Sequence, residues 1–200
     1  MVRTIIFDLG NVIVPFDFQR AYARLEGLCP YPATQIRARL RSTGLVTRFE
    51  SGQIEPETFV AELCSLLELK TNYEQFCDLW TSIFLPDPLI PEPFIQGLKE
   101  RYRLLLLSNT NAIHFEMVER HYPLLRHFDR FVLSHQVGAL KPSPRIYEAA
   151  LAQAQCAPEE CFFTDDILPF VEGARRHRID AVQFESFAQL QNEMRARGLI

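Results

Sequence analysis

Four groups of residues in this chain have the types and order needed for phosphoryl chemistry. Asp8 closes the apolar run Thr4-Ile5-Ile6-Phe7. Ser108-Asn109 follow Leu104-Leu105-Leu106-Leu107, Lys141 precedes Pro142, and Asp165-Asp166 follow Phe162-Phe163-Thr164. An ionised aspartate can attack phosphorus and form an acyl phosphate, which splits one difficult hydrolysis into two easier steps. A hydroxyl and an amide can donate hydrogen bonds to phosphoryl oxygens, and a lysine can neutralise their charge. Two adjacent carboxylates at a buried strand end call for a cation. Mg²⁺, a hard ion that takes carboxylate, carbonyl, water and phosphate oxygens, answers that need.

Singly, each group has a plainer explanation. Asp8 can cap a turn, Ser108-Asn109 is common turn chemistry, Lys141 can be a solvated loop lysine, and Asp165-Asp166 can be a helix N-cap with an exposed neighbour. Together they place a suitable polar group at each of four strand ends, and a parallel sheet gathers such ends along one edge, where α/β folds bind their ligands.

The elements that must position these groups can be read from the apolar pattern. Short, nearly continuous apolar runs predict buried parallel strands at 4–8, 103–108, 130–134, 161–164 and 181–184. Helical spacing predicts helices at 111–120, 143–153, 168–176 and 187–197. Strands alternating with helices give an α/β fold, a doubly wound, mostly parallel, Rossmann-like sheet. The rhythm breaks once. Between the first two strands lies a helical insertion, with helices predicted at 18–25, 33–41, 56–67 and 73–84. It rejoins the core through Pro86-Asp87-Pro88-Leu89-Ile90-Pro91-Glu92-Pro93, whose prolines predict a stiff, extended connector. The expected division is an α/β core of residues 1–14 and 92–200 and a helical unit of residues 15–91.

Composition excludes several classes. The 200 residues are 48% hydrophobic with a net charge of -4, which suits one globular core and argues against disorder and against nucleic-acid binding. Five cysteines, none spaced as Cys-x-x-Cys, suggest reduced thiols, with Cys64, Cys77 and Cys161 expected in the core. No signal peptide is visible, and no segment has the roughly 20 apolar residues of a membrane span, so no membrane association and a cytoplasmic location are expected. The five histidines are unpaired at any metal-ligand spacing. Trp80 and the phenylalanines read as core residues.

The set resembles the haloacid dehalogenase-like hydrolase superfamily over nearly the whole chain. Phe7-Asp8-Leu9-Gly10-Asn11-Val12 is similar to the superfamily's first motif, Ser108-Asn109 to the second, Lys141-Pro142 to the third and Asp165-Asp166 to the fourth. The insertion is similar to its small α-helical cap domain. The wording of the motifs, with Glu50-Ser51-Gly52-Gln53-Ile54, is most similar to the branch of bacterial α-glucose-1-phosphate phosphatases and the N-terminal phosphatase domain of soluble epoxide hydrolases.

The resemblance implies an Mg²⁺-dependent phosphatase of small phosphorylated metabolites, such as a hexose 1-phosphate, acting as a monomer or homodimer. It implies Asp8, Ser108 and Lys141 as catalytic, and Asp8, Ser108, Asn109 and Lys141 around the phosphate. Asp8, the Gly10 carbonyl and Asp166 would hold the metal, with Asp165 behind them. Two positions depart from the pattern. Gly10 stands where most such phosphatases carry a second aspartate as general acid, and Phe170 where relatives often carry Asn or Asp to hold a metal-bound water. Two alternatives therefore stay open: a 2-haloacid dehalogenase, in which Asp8 attacks carbon, and a phosphate-binding or regulatory domain with impaired turnover.

Overall fold

The computed structural model describes all 200 residues, Met1–Ile200. Five parallel strands form one sheet in the order β3-β2-β1-β4-β5. They are β1 (Thr4–Phe7), β2 (Arg103–Ser108), β3 (Arg130–Leu133), β4 (Cys161–Asp165) and β5 (Asp180–Gln183). Helices cover both faces, which is why the strands read as unbroken apolar runs. On β1, Ile5 and Phe7 face one core and Ile6 the other; on β2, Leu104 and Leu106 oppose Leu105 and Leu107 in the same way.

The central strand is β1. The chain crosses to β2 on one side and later to β4 on the other, so the crevice at the end of β1 is the topological switch point. Phe7 pairs with Leu106 on β2 and with Thr164 on β4. The residues that follow, Asp8 and Asp165, therefore emerge side by side. Lys141 departs from the expected strand end: β3 closes at Leu133, and a short helix and a turn intervene before the lysine.

The stretch between β1 and β2 is helical: α1 (Phe18–Glu26), α2 (Ala33–Thr43), α3 (Leu45–Glu50), α4 (Pro56–Leu67) and α5 (Tyr73–Trp80). These helices share a separate apolar cluster that includes Phe49, Phe59, Phe76 and Trp80, joined by Ile113. The sequence pattern missed α3, a six-residue helix with only Leu45 and Phe49 buried, too short to show a period. It also carried α5 too far. The chain tightens to a 3₁₀ turn at Thr81–Ile83, where Thr81 Oγ1 donates to the Cys77 carbonyl and Ser82 Oγ to the Leu79 carbonyl.

The proline-rich return segment also differs from expectation. Pro93 lies in the first turn of α6 (Glu92–Lys99), a position that needs no backbone N–H. Nor does the remainder stand alone. Together with the residues just before it, it runs against the outgoing chain: Asp17 N donates to Ile83 O, Leu85 N to Pro15 O and, within the segment itself, Leu89 N to Ile13 O, at 2.8–3.0 Å.

The remaining helices are α7 (Ala112–His121), α8 (Ser134–Val137), α9 (Pro144–Ala154), α10 (Leu168–Arg176) and α11 (Phe187–Ala196). No helix is long and apolar enough to cross a membrane. All five cysteines are free thiols. Cys161 is buried as expected, whereas Cys64 and Cys77 are only partly covered.

Candidate active site

Lys141 organises the site. Its ammonium, on a residue 4% exposed, has three protons and three acceptors: Asp8 Oδ1 at 2.7 Å, Asp165 Oδ2 at 2.5 Å and the Leu107 carbonyl at 3.0 Å. The rings of Phe170 and Phe163 lie 5.1 and 5.7 Å from the same nitrogen, within cation–π range. The Phe170 carbonyl is in turn anchored by Tyr147 Oη at 2.8 Å. Phenylalanine at 170 thus faces the lysine, a function the sequence comparison with an Asn or Asp at that position did not suggest.

Asn109 fixes the lysine's backbone. Its Oδ1 accepts from Lys141 N at 2.7 Å and its Nδ2 donates to Lys141 O at 3.1 Å. The carboxamide is thereby engaged with Lys141, and one Nδ2 hydrogen remains for another acceptor. Ser108 ends β2 and is buried beside it.

Three carboxylates meet at this point. Single oxygens of Asp8, Asp165 and Asp166 lie within 4.8 Å of one another. Asp165, fully buried, is already committed: Oδ2 to Lys141 and Oδ1 to Ile167 N at 2.9 Å. Asp8 and Asp166 have more free valence. Burial pushes the Asp8 carboxyl up to about 7, against the opposing pull of Lys141 and with the help of Asp165. Burial also raises Asp166, with Asp165 adding to it. Burial alone would lower Lys141, but Asp8 and Asp165 overcome it and hold the ammonium above its usual range. Three acids against one lysine leave a local excess of negative charge. An all-oxygen donor set with that excess fits a hard divalent cation.

The loop after Asp8 is tight. Asp8 N donates to Thr164 O, Ile13 N and Val14 N both donate to Leu9 O, and Asn11 N donates to Val14 O, with Asn11 in the left-handed region at φ 54°. The Gly10 carbonyl is not among the acceptors these bonds use. Phe16 lies over Gly10, its Cε1 2.6 Å from where a Cβ would stand.

Sequence reading also missed how the insertion is fastened at this edge. The buried Ser134 Oγ donates to the Glu50 carbonyl at 2.6 Å and accepts from Thr110 N at 2.9 Å. Gly52, at φ +66°, sits so close to His135 that a Cβ would fall 2.0 Å from its carbonyl oxygen. Only glycine combines that backbone conformation with that approach. His135 Nδ1–H donates to Thr110 O, so this histidine serves the same junction. His114 is buried and stacks on Trp80 at 5.3 Å. Its Nε2 meets the Trp80 carbonyl and its Nδ1 meets Asn111 Nδ2, both at 3.1 Å. Burial lowers it to about 4, so it is a neutral, fully bonded ring.

The haloacid dehalogenase-like hydrolase profile matches residues 2–178. The chain is similar to D-ribitol-5-phosphate phosphatase of Bacteroides thetaiotaomicron, 30% identical over 172 residues that cover 83% of this chain and 84% of that protein. It is similar to phosphatase MT3486 of Mycobacterium tuberculosis, 27% identical over 188 residues that cover 87% and 83%. Among solved structures, a haloacid dehalogenase family enzyme of B. thetaiotaomicron in complex with magnesium and inorganic phosphate superposes with a TM-score of 0.85. That match is at 25% identity and covers 95% of this chain and 99% of that one.

The chain belongs to the haloacid dehalogenase-like hydrolases. Within that family it is a phosphatase, a phosphoric monoester hydrolase.

Proposed function

We propose that this protein is an Mg²⁺-dependent phosphatase of a small phosphorylated metabolite, working through a phosphoaspartyl intermediate on Asp8. The observation that carries this is Lys141 Nζ bridging Asp8 and Asp165, with Asp166 completing a cluster within 4.8 Å. Asp8 Oδ attacks phosphorus and the alcohol oxygen departs with the bonding pair. Ser108, Asn109 and Lys141 hold the phosphoryl oxygens, and Asn109 also keeps the lysine backbone in place. Water then attacks phosphorus, releasing phosphate and the free carboxylate. Asp165 orients Lys141. Mg²⁺ would be held by Asp8, the Gly10 carbonyl and Asp166, where its charge offsets that of the carboxylates and the phosphoryl group. Residues 15–91 are the cap that closes over this edge.

The covered Gly10 bears on substrate choice. No side-chain acid at position 10 can protonate the departing oxygen, and general acid catalysis is typically worth about 10²–10⁴-fold. Esters with readily departing oxygens, sugar 1-phosphates among them, depend least on it. Three clustered carboxylates disfavour the dehalogenase alternative, which has no use for a cation beside an anionic haloacid.

The test is phosphate release from acetyl phosphate, hexose 1-phosphates and polyol phosphates with and without Mg²⁺. Metal-dependent turnover that disappears in Asp8→Asn is the expected result. Chelator-insensitive activity, or wild-type turnover in Asp8→Asn, would refute the reading.

A further inference from the structure

Cys156 and Cys161 lie in contact, their sulfurs 3.5 Å apart. Cys161 opens β4 and Asp165 closes it, so the thiols stand where the strands begin and the carboxylates where they end. The phosphoryl chemistry uses neither sulfur.

The residues between the two thiols explain the approach. Pro158–Glu160 form a single 3₁₀ turn with Pro158 at its start. The Glu160 carboxylate accepts from Ala157 N at 3.1 Å, and Glu160 N donates to the Ala157 carbonyl at 2.9 Å. The chain is folded back tightly and brings both side chains to one spot. Neighbouring segments hold it there. Arg3 N donates to the Glu160 carbonyl at 2.8 Å, and Thr4 is the register partner of Cys161. Thr4 Oγ1 donates to the Ala154 carbonyl at 2.9 Å and accepts from Cys156 Sγ at 3.4 Å. The end of α9 and the start of β4 are therefore fastened on either side of the sulfurs.

The two thiols differ in access. Cys161 is fully buried, and burial pushes its thiol up, with Cys156 adding to the effect. Cys156 is only half-buried. An oxidant from solvent meets Cys156 first and finds a second sulfur directly behind it.

We propose that Cys156 and Cys161 form a reversible oxidation site, which a hydroperoxide converts to a disulfide. The Cys156 thiolate attacks one peroxide oxygen, the O–O bond breaks, and the departing hydroxide takes up a proton as water. Cys156 is left as a sulfenic acid. The Cys161 sulfur then attacks the Cys156 sulfur. The S–S bond forms, the S–O bond breaks, and the hydroxide leaves with the Cys161 proton as a second water. The two thiols together lose two electrons and two protons, and the peroxide gains them. A disulfide is about 2.05 Å long, so the sulfurs close by about 1.5 Å. The second step starts from contact, an arrangement that favours it over attack by another peroxide from solution. The outer sulfur stays accessible, so a small thiol can reduce the bond again.

The experiment treats the wild-type protein with hydrogen peroxide, removes the peroxide and denatures the protein in N-ethylmaleimide. The cysteines are then mapped by mass spectrometry without reduction. The peptide that holds both residues should be two hydrogens lighter and carry no maleimide, while Cys29, Cys64 and Cys77 are labelled. Dithiothreitol given before the maleimide should restore label at both positions. In Cys161→Ser the sulfenic acid has no thiol to resolve it, so Cys156 should take up dimedone, which the wild type should not. Three results overturn the proposal: both thiols still labelled after peroxide, sulfinic or sulfonic acid on Cys156 with Cys161 labelled, or a disulfide through Cys29, Cys64 or Cys77 instead. The wild-type arm decides the matter even if the variant does not fold. None of these readings needs turnover, so the result stands apart from the phosphatase reading.

Discussion

The Phe16 ring fills the space that a side chain at Gly10 would need, its Cε1 2.6 Å from a Cβ built there. The missing acid in the first motif is therefore a property of packing as well as of residue type. Restoring aspartate alone forces the ring aside. Overpacking of that kind costs about 1–3 kcal/mol. Gly10→Asp should melt several degrees below the wild type and gain no activity. Combined with Phe16→Ala, the same aspartate should raise turnover of alkyl phosphates relative to Phe16→Ala alone, while acetyl phosphate gains little. Thermal melting and kcat for the two esters check this. A stable, fully active single variant would show that the ring does not exclude the acid.

Lys141 should be as important to stability as to catalysis. Replacing it by Met leaves Asp8 and Asp165 facing each other, both buried and with their shared partner gone. Breaking a buried ion pair from one side costs about 3–5 kcal/mol, or about 10 °C in Tm for a chain of this size. Mg²⁺ should recover more of that loss in Lys141→Met than it adds to the wild type, because it replaces the missing charge. Melting curves with Mg²⁺ and with chelator test both parts, and an unchanged Tm would contradict them.

Metal binding should depend on pH in one direction. Burial holds Asp8 up to about 7, so below that value the metal-free carboxyl keeps its proton and the cation must displace it. Affinity for Mg²⁺ should climb from pH 6 to pH 7 by up to about tenfold and level off by pH 8. Calorimetry in buffers of different ionisation enthalpy should detect proton release at pH 6 that fades by pH 8. A flat affinity across this range would mean that Asp8 is not a ligand.

Glu50 should weaken the fold as the solution becomes more alkaline. Burial raises its carboxyl from 4.5 to about 7. Between those values the folded state binds a proton that the unfolded chain releases, so stability falls as pH rises through the interval. Glu50→Gln removes the dependence. The variant should exceed the wild type by about 1–2 kcal/mol at pH 8, and the difference should vanish below pH 4.5. Urea unfolding at several pH values measures it. A variant less stable at pH 8 would reveal a partner for the carboxylate.

Much of this was legible before any coordinates. Strands covered on both faces announce themselves as apolar runs, which is why β2 was predicted residue for residue and β1 within one. Asp8 and Asp165 could be placed together because parallel strands deliver their ends to one edge. What could not be read depends on contacts between distant segments. Ser134 looks like any strand-end serine until its hydroxyl meets Glu50, 84 residues away. Asn109 reads as a phosphate donor, yet its carboxamide grips Lys141, 32 residues on. Prolines at 91 and 93 suggest an extended strut, but the same residues suit a helix start, and the sequence does not say which neighbour will be there. Phe16 and Trp80 read as core, and so they are. Only tertiary structure shows that one covers Gly10 and the other stands in the wall of a cavity.

The most direct measurement is chemical trapping on Asp8. An acyl phosphate, but not a free carboxylate, is reduced by borohydride to an alcohol. Wild-type protein quenched during Mg²⁺-dependent turnover of acetyl phosphate should yield homoserine at position 8 by mass spectrometry, and none without substrate. Steady phosphate release with Asp8 unmodified, or with the mark on Asp165 or Asp166 instead, would contradict the account.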